Sequence, residues 1–289
     1  MSRLKVGMNG LIDIARSSLP LPIQDFIGKY YARTFPRLYA HRYAEQYFKY
    51  EQELLLLPLM LVQGRRAIDI GTNIGPYIPH LLRYTDKVEA FEPSIHFVRF
   101  LKKAYGESIN IHCCALSDSS GASFLMMAHD PKDDVSGLGE ARLISVSDAE
   151  GENRTSFREE VKLNTLDSFR FIDVAFVKID VEGHELRVLH GGIETLMGNR
   201  PTLLIEAELR HRDNAVVSIV DFLAPLNYEG FFLHRRRLHS ISEFCPDLQD
   251  IKYISTFNLG ENRNYINNFI FVPSERVQEF KNGCTDLLN

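Results

Sequence analysis

The apolar positions along the chain change their period close to Gly64. Before it, Phe35, Tyr39, Tyr43, Tyr47, Tyr50 and Leu54 recur at steps of three or four, the spacing of one helical face, so a helical, aromatic segment is expected over about 23–64. The stripe reads as core packing, with the wall of an acceptor pocket as its functional alternative. After Gly64, short β-branched and aromatic runs alternate with helical stretches. Strands are expected at 67–70, 88–91, 109–113, 174–179, 202–207, 228–233 and 266–272. Helices are expected at about 76–84, after Pro93 to about 105, and at 216–223. Another carries Leu186, Leu189, Ile193, Leu196 and Met197 on one face and stops near Gly198 and Asn199. This alternation predicts a mostly parallel sheet covered by helices on both faces. The rhythm breaks over 121–160, where 122–127 reads as one arm of a hairpin and 130–158 as a long polar surface loop.

Composition agrees with an ordinary globular protein: 289 residues, 45% hydrophobic and 25% charged, enough to bury a sizeable core. The expected organisation is a helical extension over 1–63 followed by one α/β domain over 64–289. The longest apolar run, 54–62, is broken by Pro58 and is too short to cross a bilayer. Asn9 and Asp13 interrupt the N-terminal region, so no signal peptide is read. The four cysteines lack metal-like spacing and read as reduced structural thiols, which points to a cytoplasmic location. A net charge of −5 lacks the global field of a nucleic-acid binder, so no nucleic-acid partner is expected. The expected partner is a small-molecule or glycan acceptor, and the sequence sets no oligomeric state.

The candidate chemistry sits where strands end. Asp69, Gly71, Asn73 and Gly75 follow the first expected strand in "AIDIGTNIGPY", the default ligand position of an open α/β sheet. Glu92 ends the second strand, where a carboxylate can accept hydrogen bonds from both hydroxyls of a ribose. The turn lacks the G-x-G-x-x-G of dinucleotide folds, and Asp69 sits badly beside a pyrophosphate. A cationic adenosine cofactor without phosphate, S-adenosylmethionine, suits these acids.

The strand 174–179 then runs into Asp180, Glu182, Gly183, His184 and Glu185. Methyl transfer from a sulfonium needs in-line placement of a hydroxyl and removal of its proton, and His184 is the candidate base. Asp180 and Glu182 can balance the sulfonium charge and orient the histidine. A capping role for Glu185 and Asp180 is the plainer reading. Glu206 ends the neighbouring strand and is a second candidate base or acceptor-positioning group. Asp180 and Glu206 together are candidate ligands for a magnesium or manganese ion. Two basic clusters remain, Arg210 to Arg212 and 234–237, read as a solvated face or as a phosphate clamp for a nucleotide-linked or lipid-linked sugar.

The blocks "AIDIGTNIGPY", "VEAFEPS", "CCALSDSSG", "NTLDSF", "VKIDVEGHELRVLHGGIETL", "LLIEAE" and "NNFIFVP" resemble, in order, those of FkbM-type S-adenosylmethionine-dependent methyltransferases. The resemblance covers about 64–273, with "KIDVEGHE" its most specific part and Thr72 a small departure where the family often has Ala. It implies a class I methyltransferase fold: a Rossmann-like, seven-stranded sheet with its last strand antiparallel. It implies O-methylation of hydroxyls on saccharides, glycolipids or natural products. It implies that Asp69, Gly71, Asn73 and Gly75 line the methionine portion of the cofactor, that Glu92 holds the ribose, and that Ala115, Ser117 and Asp118 border the adenine. The competing readings are a catalytically silent cofactor-binding scaffold and a nicotinamide-dependent oxidoreductase.

Overall fold

The computed structural model describes residues 28, 30–48, 51–127, 141–144, 157–253 and 264–288. Helices α1 (Pro36–Tyr47) and α2 (Leu57–Met60) precede the first strand, β1 (Arg66–Ile70). They are followed by α3 (Ile78–Leu81), β2 (Val88–Phe91), α4 (Ile95–Tyr105), β3 (Asn110–His112), β4 (Ala115–Leu116), β5 (Gly121–Met127), β6 (Ala141–Ile144) and β7 (Phe157–Asn164). The chain continues through β8 (Val174–Ile179), α5 (Glu185–His190), α6 (Ile193–Asn199), β9 (Thr202–Glu206) and α7 (Ala215–Leu223). It closes with β10 (Tyr228–His234), β11 (Arg237–Ser240), β12 (Asn268–Pro273) and α8 (Val277–Leu288).

The main sheet has eight strands in the order β11-β10-β12-β9-β8-β1-β2-β3, one more than expected. The strands from β3 across to β9 run parallel, and β12 is antiparallel to both β9 and β10. The eighth strand is β11, which folds back antiparallel on β10 through the two-residue loop between His234 and Arg237. It was hidden inside a run of arginines that read as a charge cluster. A second sheet, β4-β7-β5-β6, holds 121–127 as a hairpin arm whose partner begins at Phe157. Residues 141–144 and 157–158 pair as strands where a loop was expected, while 130–140 and 145–156 of that loop lie outside the described residues. Tyr50 of the aromatic stripe also lies outside them.

Alternation along the strands divides the core into two layers. Ile68, Ile70, Val177, Ile179, Leu203 and Ile205 face one layer, which α5, α6 and α7 cover through Val188, Leu196 and Ile219. Ala67, Phe176, Leu204 and Ile270 face the other, covered by Leu54, Leu56, Leu57 and Met60 of the N-terminal segment and by Phe280 of α8. The same period of two carries Asp69, Lys178, Glu206 and Asn268 onto this second layer, at the level where β1, β8, β9 and β12 meet the site. On α1, Tyr39 meets Phe100 of α4 edge-on at 6.0 Å, and Tyr47 meets Tyr77 edge-on at 6.0 Å. The expected stripe therefore packs inward from Tyr39 to Tyr47, and Phe35 stays half exposed.

The long helix expected after β8 is two helices broken at Gly191–Gly192. A Cβ at Gly191 would stand 2.0 Å from the Ser117 carbonyl oxygen, so the helix end and the loop after β4 touch backbone to backbone. We expect Gly191→Ala to destabilise the fold by about 1–3 kcal/mol, the range for overpacking. Gly198 in α6 has nothing within 4 Å of its would-be Cβ. Gly198→Ala should be neutral or stabilising by up to about 1 kcal/mol, and thermal unfolding of the two variants checks the contrast.

Candidate active site

The crevice opens at the carboxyl ends of β1, β2 and β8. Gly71 has φ +81°, and a Cβ there would lie 1.8 Å from the Asp180 carbonyl oxygen. Glycine alone lets the two strand ends approach this closely. Asn73 and Gly75 also adopt positive φ, and the Tyr105 hydroxyl donates to the Gly75 carbonyl at 2.8 Å, tying the turn to α4. Gly71, Asn73, Glu92, Ala115, Asp180 and Glu182 line one crevice with an apolar side that includes Phe91, Phe97 and Leu116. Leu125 and Leu143 of the second sheet complete that side, a contribution the sequence reading did not foresee. Of the other expected cofactor residues, Asp69, Gly75, Ser117 and Asp118 are not among those that line the crevice.

Glu92 is 4% exposed, and its two carboxyl oxygens accept from the backbone N–H groups of Asn73 and Ser94, each at 2.8 Å. These bonds fix the carboxylate at the mouth and leave acceptor capacity for ligand hydroxyls. Burial pushes its pKa up to about 7, against the two backbone donors that lower it. Glu159, from β7, accepts from the Ile95 amide and the Ser94 hydroxyl at 2.8 Å each, capping α4 beside Glu92.

Asp69 is 1% exposed, and neither of its carboxyl oxygens has a hydrogen-bond partner. Burial pushes its pKa up to about 6, with Lys178 opposing and Asp180 adding to the rise. The Asn73 side-chain oxygen is likewise buried without a partner. Unsatisfied acceptors of this kind suit a cation or a hydrogen-bond donor and disfavour a phosphate. They fit the ammonium and sulfonium of S-adenosylmethionine, as Glu92 fits its ribose.

Lys178 is 3% exposed in the middle of an apolar strand. Its Nζ donates to Asp180 Oδ2 at 2.8 Å and lies 4.8 Å over the Tyr77 ring. Burial opposes its charge, but Asp180, Asp69 and Glu206 outweigh that and raise its pKa. Glu206 faces Asp180 from the neighbouring strand and accepts from Asn267 at 2.5 Å. Desolvation of its carboxyl and the nearby Asp180, Glu51 and Glu208 raise its pKa well above the usual carboxylate range. Glu51, just after α1, completes the cluster, accepting from the Tyr77 hydroxyl at 3.1 Å and from Asn268 at 2.5 Å.

The remaining expected residues turn elsewhere. Glu182, with φ +52°, pairs with His211 Nε2 at 2.7 Å. His184 precedes α5 and places Nε2 3.0 Å from the Ser117 hydroxyl, while burial first, and then Arg187, push its pKa down to about 4. It is uncharged at neutral pH and held on the side of the crevice formed by the loop after β4. Asp118 accepts from Arg187 at 3.2 Å. Among the described residues, the pair expected to share a divalent cation, Asp180 and Glu206, belongs to no group of three that could hold one, and the Lys178 ammonium sits beside Asp180 instead. Among the described residues the three groups close enough to hold an ion are Glu182, Glu208 and His211. Glu208 is already engaged by both guanidinium arms of Arg210, at 2.7 and 2.9 Å, and by the Tyr265 hydroxyl.

Sequence reading missed Lys178, Glu51, Tyr77 and the Asn267–Asn268 pair. A lysine inside a six-residue buried strand was a visible signal, because an ammonium there needs a partner. Nothing local marks Glu51, which meets Tyr77 across 26 positions of chain and Asn268 across 217.

A family profile described as the methyltransferase FkbM domain matches residues 69–233, more than half of the 289-residue chain. The chain belongs to the FkbM methyltransferase family. No curated protein matches it. Among solved structures it resembles an FkbM methyltransferase from Methylobacillus flagellatus, with 16% identity, a TM-score of 0.46, and coverage of 73% of this chain and 44% of that one. The chain thus spans less than half the length of that protein. It also resembles an O-methyltransferase from Bacillus cereus in complex with SAH (10% identity, TM-score 0.40, covering 85% and 95% of the two chains). A putative RNA methyltransferase from Pyrococcus horikoshii follows at 13% identity and TM-score 0.30, covering 76% and 78%. No described helix is long and apolar enough to cross a membrane.

The Glu92 shift carries a pH dependence. With its pKa raised to about 7 in the folded state, the free protein loses stability as pH rises from about 4.5 towards about 7. Ligand hydroxyls prefer the ionised acceptor, so affinity for S-adenosylhomocysteine should rise by up to about tenfold between pH 6 and pH 8. Calorimetric titration across that range should show the rise, and Glu92→Gln should flatten its upper part.

Proposed function

We propose that the protein transfers the methyl group of S-adenosylmethionine to a hydroxyl oxygen of a saccharide, glycolipid or natural-product acceptor. The observation that carries this reading is the acid cluster at the ends of β8 and β9, where Asp180 is anchored by Lys178 next to Glu206. S-adenosylmethionine, when bound, supplies an electrophilic methyl on a cationic sulfur. Glu92 would hold the ribose, Asn73 would face the cationic methionine end with the buried Asp69 adding its negative field, and Ala115 with Leu116 would border the adenine. Ser117 and Asp118 would support that border from behind, with His184 fastening it through the Ser117 hydroxyl.

A hydroxyl is a weak nucleophile, so its proton must leave as the new carbon–oxygen bond forms. Asp180 is the group we assign to accept that proton, because Lys178 fixes its carboxylate at the crevice wall. Glu206, whose pKa is raised by burial first and then by its acidic neighbours, is the group that positions the acceptor. Glu182, paired with His211, borders the cofactor and shapes the turn. In this assignment the base is Asp180, and His184 is a positioning residue.

Two measurements test the reading. Transfer of labelled methyl to free sugars, nucleoside-diphosphate sugars, extracted glycolipids and RNA should leave the label in an alkali-stable methyl ether on a sugar or natural product. Label in an amine or in RNA would contradict it. On the active acceptor, Asp180→Asn should lower kcat by ~10²–10⁴-fold, the contribution of a positioned base. His184→Ala should mainly raise the KM for the cofactor, and the opposite split between these variants would return the base role to His184.

A further inference from the structure

The turn between β10 and β11 consists of Arg235 and Arg236, both in the left-handed region at φ +51° and +58°. A two-residue hairpin with both residues at positive φ is the place for Asn-Gly, which adopts that conformation at little cost. A left-handed residue with a side chain costs roughly 1–2 kcal/mol, so turn geometry alone does not account for two arginines. Strain of this kind is retained where the side chains have a use.

Register fixes where the tip points. Asn268 pairs with Glu206, and Phe231 pairs with Ile270, so β10 ends at the same edge of the sheet as Glu206. Only β12 lies between β10 and β9, which puts the end of β10 about 10 Å from Glu206 at ordinary strand spacing, with the turn a further two residues on. Arg235 donates to Asn264 at 3.3 Å on the chain leading to Asn267, the residue that holds Glu206. Arg236 and Arg237 line a groove between the hairpin and α8 together with Lys281, Ser240 and Thr285, over an apolar floor of Phe231 and Leu238. The groove's carboxylate, Glu243, is engaged by His239 at 3.0 Å and by the Ser240 amide at 3.0 Å. Lys281 lies 5.1 Å over the Phe231 ring.

Arg236 and Arg237, with Lys281 beside them in a 3.7 Å ion pair with Glu229, over an apolar floor are the chemistry of a phosphate-ester site, in a chain whose net charge is −5. We propose that this groove binds the phosphate or diphosphate of a soluble, phosphate-bearing acceptor whose hydroxyl reaches Glu206. The inference rests on the acceptor reading above. It adds that the acceptor is anionic and that Arg236 and Arg237 of the groove select it, with Arg235 fixing the turn on Asn264.

The test uses the full-length protein with inorganic pyrophosphate and UDP as probes, titrated calorimetrically in the presence of S-adenosylhomocysteine. Wild type should bind both probes saturably. The double variant Arg235→Asn, Arg236→Gly supplies the turn's preferred residues, so it should keep or raise Tm while weakening both probes by about tenfold or more. Lys281→Gln should weaken them as well. S-adenosylhomocysteine affinity should be the same in every variant. The inference is overturned if wild type binds neither probe, if the double variant binds them as wild type does, or if only anionic phosphatidylglycerol vesicles bind. Loss of S-adenosylhomocysteine binding in wild type would instead strike the cofactor assignment, which separates the two failures.

Discussion

Everything at the reaction end of this sheet depends on one buried ammonium. Asp69, Asp180, Glu206 and Glu51 converge on the layer beneath the N-terminal segment, and acids this close and this dry cannot all be ionised without compensation. Lys178 provides it, 2.8 Å from Asp180, within the field of Asp69 and Glu206, and over the face of Tyr77. Replacing Lys178 by an apolar residue would leave the acids facing one another, and they would take up protons or move apart.

The N-terminal segment belongs to this arrangement. Leu54, Leu56, Leu57 and Met60 close the second core layer, and Glu51 reaches the site from the same stretch, fastened to Tyr77 and Asn268. The aromatic rings of α1 then hold that stretch against α3 and α4. Packing and chemistry are coupled here: a change that loosened Tyr47 or Tyr77 would disturb Glu51, and through it the charge balance around Lys178.

Much of this was legible in the residues. Short β-branched and aromatic runs located the strands of the parallel sheet, and Gly71 and Glu92 stood at strand ends that line the crevice. What escaped was the product of distant pairings. The Arg237–Ser240 strand was concealed because its positions read as charge, and only the hairpin register shows them pairing with β10. The helix after β8 read as continuous because Gly191 and Gly192 look tolerable within a helical face, yet a backbone from another loop occupies the space of a side chain there. The metal expected between Asp180 and Glu206 was a consequence of overlooking Lys178. Both strand-end acids were visible, but their counter-ion lay two residues back inside the strand.

The central claim is that this crevice selects a cationic adenosine cofactor through unsatisfied buried acceptors and a ribose carboxylate. The most direct measurement is calorimetric titration of the full-length protein with S-adenosylmethionine, S-adenosylhomocysteine and NAD under identical conditions. The account predicts saturable one-to-one binding of the first two, weakened for S-adenosylmethionine by Asp69→Asn, and no binding of NAD. Binding of NAD with no heat from either sulfur compound would contradict it.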